Sequence, residues 1–502
     1  MKLLAKLEKN RNTWILIGVS VLFFFLRFPS IIEPYWYGDE GIYEVVGQAM
    51  DHGELLYRNI WDNKPPLLYI VYALAHGNQP TVKAISLAIG IVSLIAFFLL
   101  AKKLLKKSSH SMLITILFVI LFGTPLLEAN IANAEDFILL PVLLAGLLIY
   151  SLVQQSKIKQ HTTHNTQRTT FISGLLLGIA FLFKIVAIFD FAAFTLFLIM
   201  YDLPETLSWQ AVKKLITKKI RPISYLLLGF LLPLLITIVY FATNNALTFF
   251  FQSVFFGNIS YVGWENSLLG IPQGLLIGKT ILLFLSLLFI IRQRKRFTRP
   301  ALFVILWIVF SLYNIYFSGR PYTHYAIVLI PSFCLLVGLL FTTKKILTQA
   351  GITIGILLII VMIWFQFSPN ITWSFLYYQN AIQFITGQKS VNAYQTFFNP
   401  HVPRDYAIAS FITTHTQPSQ TVFIWGNDPQ IYALSHKIPP IKYTVAYHVT
   451  ENNALNQTQQ IINKVYPKYI IVLKESQPLP FAIPLYIMRY STSGATIYER
   501  SL

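Results

Sequence analysis

Apolar residues along this 502-residue chain come in long unbroken runs. They follow neither the two-residue alternation of half-buried strands nor the one-sided stripe of soluble helices. About 20 such residues in a row are what a helix needs to cross a bilayer. The runs fall near 13–32, 80–101, 111–128, 137–153, 171–185, 187–201, 222–242, 273–291, 301–317, 325–342 and 347–367. They predict an α-helical integral membrane protein with about eleven transmembrane helices. Lys184 and Asp190 interrupt one long apolar stretch at 171–201, which reads as two short helices joined by a tight turn near the outer surface. The first run follows Lys2, Lys6, Lys9 and Arg11, and no small-residue cleavage site stands at Ile31–Trp36, so it is expected to stay as an anchor.

Two stretches break the apolar pattern. One is the loop Glu33–Gln79, and the other is the tail from Ser368 to Leu502. In the tail, TVFIWG (421–426) and KYIIVL (468–473) read as buried strands, and Pro403–Thr414 and Asn453–Val465 as amphipathic helices. Strands alternating with helices predict a small α/β domain. The expected organisation is therefore a transmembrane domain over 1–367, carrying the loop 33–79, and an extracytoplasmic α/β domain over 368–502. The chain shows no internal repeat and no sustained heptads.

Composition sharpens this picture. Hydrophobic residues make up 55% of the chain and charged residues 12%, with a mean hydropathy of +0.58, whereas soluble domains carry roughly 25% charged residues. A soluble enzyme, a disordered tail protein and a nucleic-acid module are excluded. The net charge of +19 is spread over short clusters between apolar runs, as the positive-inside bias requires, and forms no stripe for nucleic acid. The basic residues gather at the N-terminus and in alternate loops: Lys102, Lys103, Lys106 and Lys107; Lys157, Lys159 and Arg168; Lys213, Lys214, Lys218, Lys219 and Arg221; Arg292, Arg294, Lys295, Arg296 and Arg299; Lys344 and Lys345. The opposite loops hold Arg58, Lys64 and Arg320. The N-terminus is thus expected inside and the tail outside a cytoplasmic membrane. The lone Cys334 forbids an intramolecular disulfide.

Candidate chemistry concentrates in the outer loops. Asp39-Glu40 follow Tyr35, Trp36 and Tyr37 and open a helical pattern through Ile42, Val45, Val46 and Ala49. Asp39 is either the cap of that helix or a carboxylate at the membrane–water boundary, where partial burial raises its basicity. The loop ends in Asp62-Asn63-Lys64-Pro65-Pro66. The prolines suit a helix start, and Lys64 is either a snorkelling lysine or a phosphate partner. Glu135 and Asp136 precede the fourth run as solvated helix ends or site carboxylates. Lys184 is costly inside an apolar stretch unless paired, with Asp190 as its nearest partner in sequence. The turn SGRPYTHY (318–325) offers Arg320 for phosphate and His324 as an interfacial histidine or proton carrier. No GxxxxGK[ST] loop indicates an ATP-driven pump, and no matched broken helices indicate a secondary transporter.

Together these residues resemble the GT-C superfamily of membrane glycosyltransferases, in its family 39-like branch of protein O-mannosyltransferases and aminoarabinose transferases. The resemblance rests on Asp39-Glu40, DNKPPLLY (62–69), AED (134–136), the glycine-and-lysine pattern ending at Lys184, GRPYTHY (319–325) and WGNDPQIYAL (425–434). It implies transfer of a sugar from a polyprenyl-phosphate carrier to an acceptor hydroxyl on a lipid, glycan or protein at the outer face. By the resemblance Asp39 is the general base, Glu40 supports the same site, and Asp136 helps to position a substrate. Lys64, Arg320 and Lys184 hold the donor phosphate, and Tyr37, Tyr43, His324 and Tyr325 line the substrate. Asn63 departs from the Glu that often precedes Lys-Pro-Pro in the aminoarabinose enzymes. Glycosyl transfer needs a base on the acceptor and a cation on the departing phosphate, and one base with a phosphate leaving group implies a single inverting displacement. A divalent metal has possible ligands in Glu40, Asp136, His52 and His324, without any metal-binding spacing. The rival readings are a flippase or transporter of a lipid-linked sugar and an oligosaccharyltransferase or O-antigen ligase. The absence of a Trp-Trp-Asp run disfavours the oligosaccharyltransferase.

Overall fold

In a computed structural model, residues 11–155, 163–203, 208–264, 266, 267, 271, 273–343, 345–491 and 494–501 are described. Lys2, Lys6, Lys9, Lys157, Lys159 and Lys344, which carry part of the charge argument, lie outside them. The chain divides into two compact units.

The first unit comprises Met1–Phe28, Ile85–Phe241 and Phe256–Ser374. Among the described residues of the whole chain, 9 helices are long and apolar enough to cross a membrane: Asn12–Ile31, Gln79–Leu105, Ala134–Gln154, Asn165–Phe183, Lys213–Thr243, Gly274–Arg296, Arg299–Phe317, Thr323–Leu340 and Ile346–Phe367. Shorter apolar helices are Ser108–Gly123, Ile185–Met200 and Leu247–Ile259. All eleven expected runs are helical, and the protein is a multi-pass membrane protein. Leu247–Ile259 is unexpected, because its apolar run is too short to read as a span.

Residues facing away from the unit, such as Ile277, Ile281, Phe284, Leu285 and Phe289, are as apolar as its core. Lipid tails offer no hydrophobic penalty to them, so helix association rests on close packing. Small residues supply it. A Cβ on Gly174 or Gly178 would collide with the carbonyls of Leu226 and Phe230, and one on Gly229 with that of Phe171. The core joins Tyr150, Phe194, Phe197, Phe303 and Trp307, with Phe194 and Phe303 stacked at 5.4 Å. Asp190 is spent here, accepting from the Trp307 indole N–H at 2.8 Å. It is not the partner of Lys184, which corrects the sequence reading. The stretch 163–200 is two helices as expected, broken where Lys184 turns extended (φ −157°, ψ 130°) before a 3₁₀ turn at Ile185–Ala187.

The second unit comprises Pro29–Ala84, Ala242–Phe255 and Phe375–Leu502. Its sheet, in the order β1-β2-β4-β3, is built from β1 (Val422–Trp425), β2 (Tyr469–Leu473), β3 (Tyr486–Ser491) and β4 (Ala495–Arg500). β1 and β2 are parallel, with Phe423 opposite Ile470, and β4 runs antiparallel to β2 and β3. The helix Val402–His415 and the helix Leu455–Val465 match the expected tail helices. On one face of the sheet, Ile408, Ile412, Val422, Ile424, Ile431 and Ile471 form a core that takes in Val45 from the loop helix Gly38–Asp51. On the other face, Phe423, Trp425, Val449, Ile462 and Ile470 form a second core. The loop is therefore folded into the same unit as the tail. Gly41 is where the helices touch: a Cβ there would meet Pro429 Cγ at 2.9 Å and the Gln430 amide at 3.0 Å. Gln48 adds a hydrogen bond to the Ala433 carbonyl at 3.0 Å.

Candidate active site

The helix Gly38–Asp51 begins with Tyr37, not Asp39, at its cap position, so the capping explanation of Asp39 fails. Asp39 lies in the first helical turn, where the helix dipole favours its charge. Its carboxylate accepts from the Tyr43 hydroxyl, one turn on, at 3.1 Å, and keeps 38% of its surface open. Burial and nearby carboxylates raise the Tyr43 phenol well above its ordinary value, so it stays protonated and donates.

Lys64 faces the same carboxylate. Its ammonium stands 3.6 Å from Asp39, 3.9 Å from Asp62 and 4.6 Å from the centre of the Tyr43 ring. The turn carrying it is tightly held. The Tyr57 hydroxyl donates to the Lys64 carbonyl at 2.6 Å, and the Lys64 amide donates to the Tyr69 hydroxyl at 3.2 Å. Tyr69 in turn donates to the buried Asp62 carboxylate at 2.7 Å, whose other oxygen accepts from the Asn63 amide at 2.8 Å. Pro65 caps and Pro66 opens the helix Pro66–Leu74. The backbone is thus fixed with the lysine ammonium facing the Asp39 carboxylate, an arrangement suited to presenting a cation to an incoming anion.

Glu40 is sealed beneath this surface. It pairs at 3.0 Å with Lys83, which also binds Glu33 at 2.9 Å, and Tyr377 donates to Glu33 at 2.5 Å. Glu44, one turn further, has no hydrogen-bond partner among the described residues for either carboxylate oxygen, and burial holds it well above the carboxylate range. Tyr37 packs edge-on against Trp36 at 5.4 Å.

In the first unit the other predicted residues form two groups. Lys184 is ion-paired with Glu135, and its ammonium lies 3.9 Å over the Tyr325 ring. His324 meets the Glu128 carboxylate through Nδ1 at 2.9 Å and packs edge-on against Tyr325 at 4.9 Å. Arg320 precedes this turn, half-buried, its amide donating to the Ser318 hydroxyl at 3.3 Å. Asp136 is fully enclosed, bound to Arg27 at 2.8 Å and to the Ser86 hydroxyl at 2.9 Å. Its side chain is 1% exposed and presents no open face.

The fold therefore gathers Asp39, Tyr43 and Lys64 in one place and Lys184, His324 and Tyr325 in another, while Glu40 and Asp136 are locked in buried ion pairs. Of the named metal ligands, Glu40 is taken by Lys83, His52 by the Gln48 carbonyl at 2.8 Å and His324 by Glu128. No group of three or more His, Cys, Asp or Glu side chains among the described residues is arranged to hold a metal. Sequence reasoning missed Arg27, Lys83, Asp62 and Tyr69. Arg27 and Lys83 were signalled by their place inside apolar runs, where an ionisable group demands a partner.

By sequence, no protein-family model and no curated protein matches the chain. Structure is more informative. ArnT from Cupriavidus metallidurans in its apo state superposes with a TM-score of 0.57 over 97% of this chain and 98% of that one, at 14% identity. The chain has the ArnT fold. ArnT bound to undecaprenyl phosphate gives a TM-score of 0.54 over the same shares at 13% identity. The oligosaccharyltransferase AglB from Archaeoglobus fulgidus aligns more loosely, at a TM-score of 0.46 and 10% identity over 93% of this chain and 70% of that one. The GT-C fold implied by the sequence motifs is the fold observed.

Proposed function

We propose that this protein is a membrane glycosyltransferase that moves a sugar from a polyprenyl-phosphate donor to an acceptor hydroxyl on the outer face of the membrane. The observation that carries the reading is the accessible Asp39 carboxylate, oriented by Tyr43 and set 3.6 Å from the Lys64 ammonium. The shared fold with ArnT, whose structure holds undecaprenyl phosphate, supports a carrier of that class.

The chemistry follows from these groups. Asp39 takes the proton of the acceptor hydroxyl as its oxygen bonds to the anomeric carbon. The bond from that carbon to the phosphate oxygen breaks, its electron pair leaves with the polyprenyl phosphate, and Lys64 stabilises the charge that develops there. Attack opposite the leaving phosphate inverts the sugar centre. The Lys64 ammonium stands 3.6 Å from the Asp39 carboxylate and partly neutralises it. A bound phosphate draws the ammonium away on its flexible stem and leaves Asp39 free to act as base. Glu40 and Lys83 anchor the helix beneath.

The test is to purify the protein in detergent, incubate it with a panel of polyprenyl-phosphate monosaccharides and candidate acceptors, and follow sugar transfer beside Asp39→Asn. Turnover by the native protein and none by the variant is expected. Unimpaired transfer by the variant overturns the base assignment, and donor binding without turnover by either protein favours a carrier-lipid transporter. The charge clusters support an N-terminus inside and a tail outside. A membrane-impermeant thiol reagent applied to whole cells should therefore label a cysteine placed at exposed Lys474, but not one at exposed Lys102.

A further inference from the structure

Among the described residues, Trp61 joins the Lys64 turn to the tail. Trp61, immediately before Asp62, donates its amide to the Lys442 carbonyl at 3.0 Å. Its indole is met edge-on by Tyr443 at 5.4 Å and by His448 at 4.8 Å. That grip is itself anchored to the sheet. The Ala446 amide donates to the Gly426 carbonyl at 2.8 Å, and the Tyr447 amide to the Asn427 side chain at 3.2 Å. Gly426 and Asn427 follow β1, so the WGNDP motif links the sheet to the grip.

His448 is 5% exposed and its Nδ1 has no hydrogen-bond partner among the described residues, which is a costly state for a group kept only to fill space. Burial pushes its pKa down to about 4, with the charges of Asp62, Lys64 and Asp39 acting on the ring. The ring is neutral at physiological pH and adds no second cation beside Lys64.

We propose that the tail segment Lys442–His448 positions the Asp62–Lys64 turn, with Trp61 as the gripped side chain and His448 as a positioning residue that acts through Lys64. The inference rests on the reading of Lys64 as the phosphate-binding cation. It gives the tail a defined part in the site: a brace for the turn rather than a receptor for acceptor.

The experiment measures undecaprenyl phosphate binding to the full-length protein in detergent, which needs neither sugar nor acceptor. His448→Ala is expected to weaken binding about tenfold, and His448→Phe, which keeps a ring edge on Trp61, to stay within about twofold. Lys64→Met should weaken binding by itself, and adding His448→Ala to it should cost nothing more, because both act on one interaction. A general loss of structure would instead add to the Lys64→Met effect. If His448→Ala does not fold, His448→Leu keeps the bulk, loses the ring and carries the same expectation. Native-like binding by the Ala or Leu variant, or additivity with Lys64→Met, overturns the inference while leaving the phosphate role intact. Failure of the native protein to bind, or undiminished binding by Lys64→Met, removes the phosphate role and this inference with it.

Discussion

Two acidic doublets open helices in this protein, Asp39-Glu40 at Gly38–Asp51 and Glu135-Asp136 at Ala134–Gln155. In sequence they look interchangeable. In the structure one carboxylate of the four, Asp39, keeps an open face, with the Lys64 ammonium 3.6 Å away. Glu40, Glu135 and Asp136 are closed in ion pairs with Lys83, Lys184 and Arg27. A carboxylate that must take a proton from a substrate has to be reachable, whereas one that stabilises helix packing has to be sealed. Burial, rather than residue type, sets Asp39 apart from the other three.

The largest effect should come from Asp39→Asn, which keeps the shape and removes the proposed base. Transfer is expected to fall at least about a thousandfold while the detergent melting temperature is unchanged. Comparable loss of transfer with a collapsed melting temperature would erase the contrast between the doublets.

Arg27→Met tests the other side. It leaves Asp136 buried without its cation, and losing one partner of such a pair costs about 3–5 kcal/mol, visible as a sharply lowered melting temperature. Replacing both, Arg27→Met with Asp136→Leu, should recover much of that loss. A fully stable Arg27→Met protein would show that the pair is not architectural.

Acid gives a third test. His448 in the folded state titrates at about 4, below the ordinary histidine value of roughly 6.5. Its neutral form therefore contributes stability that is fully present above about 6.5 and is lost as pH falls toward 4, by up to about 3 kcal/mol. His448→Phe should flatten this acid limb in a melting series. An unchanged limb would assign it to other groups.

The smallest effect is expected at Gly41. An added Cβ must displace either Pro429 or the Gln430 backbone, and overpacking of this kind costs about 1–3 kcal/mol. Gly41→Ala should lower both stability and transfer, since Asp39 lies two residues away on the same helix. Unaltered transfer would mean that the helix start tolerates a shift without moving the proposed base.

Much of the frame was legible along the chain. Eleven apolar runs gave eleven helices, because an unbroken run of about 20 apolar residues has few other stable outcomes. β1, β2 and two tail helices were legible from short apolar strands flanked by amphipathic stretches. β3 was not: Ile487, Met488 and Tyr490 are exposed on both faces, and an edge strand of that kind carries no burial pattern to read. The helix Leu247–Ile259 was hidden by the shortness of its run. Within the site, Asp39 and Lys64 stood out as charges in an aromatic, proline-braced loop, but the Asp62–Tyr69 bond and the Trp61 grip join residues whose types alone say nothing of each other.

The sequence by itself determined the solvent and the helices, since the free energy of moving apolar runs out of water depends on composition and length and hardly on what they touch. It also determined which residue types were available for acid–base and phosphate chemistry. Only the tertiary structure decided which carboxylate stayed open, which cation answered it, and that the loop 33–79 would fold with the tail. Those outcomes depend on desolvation and on distances of a few ångströms between residues up to several hundred positions apart, and neither is written in local order.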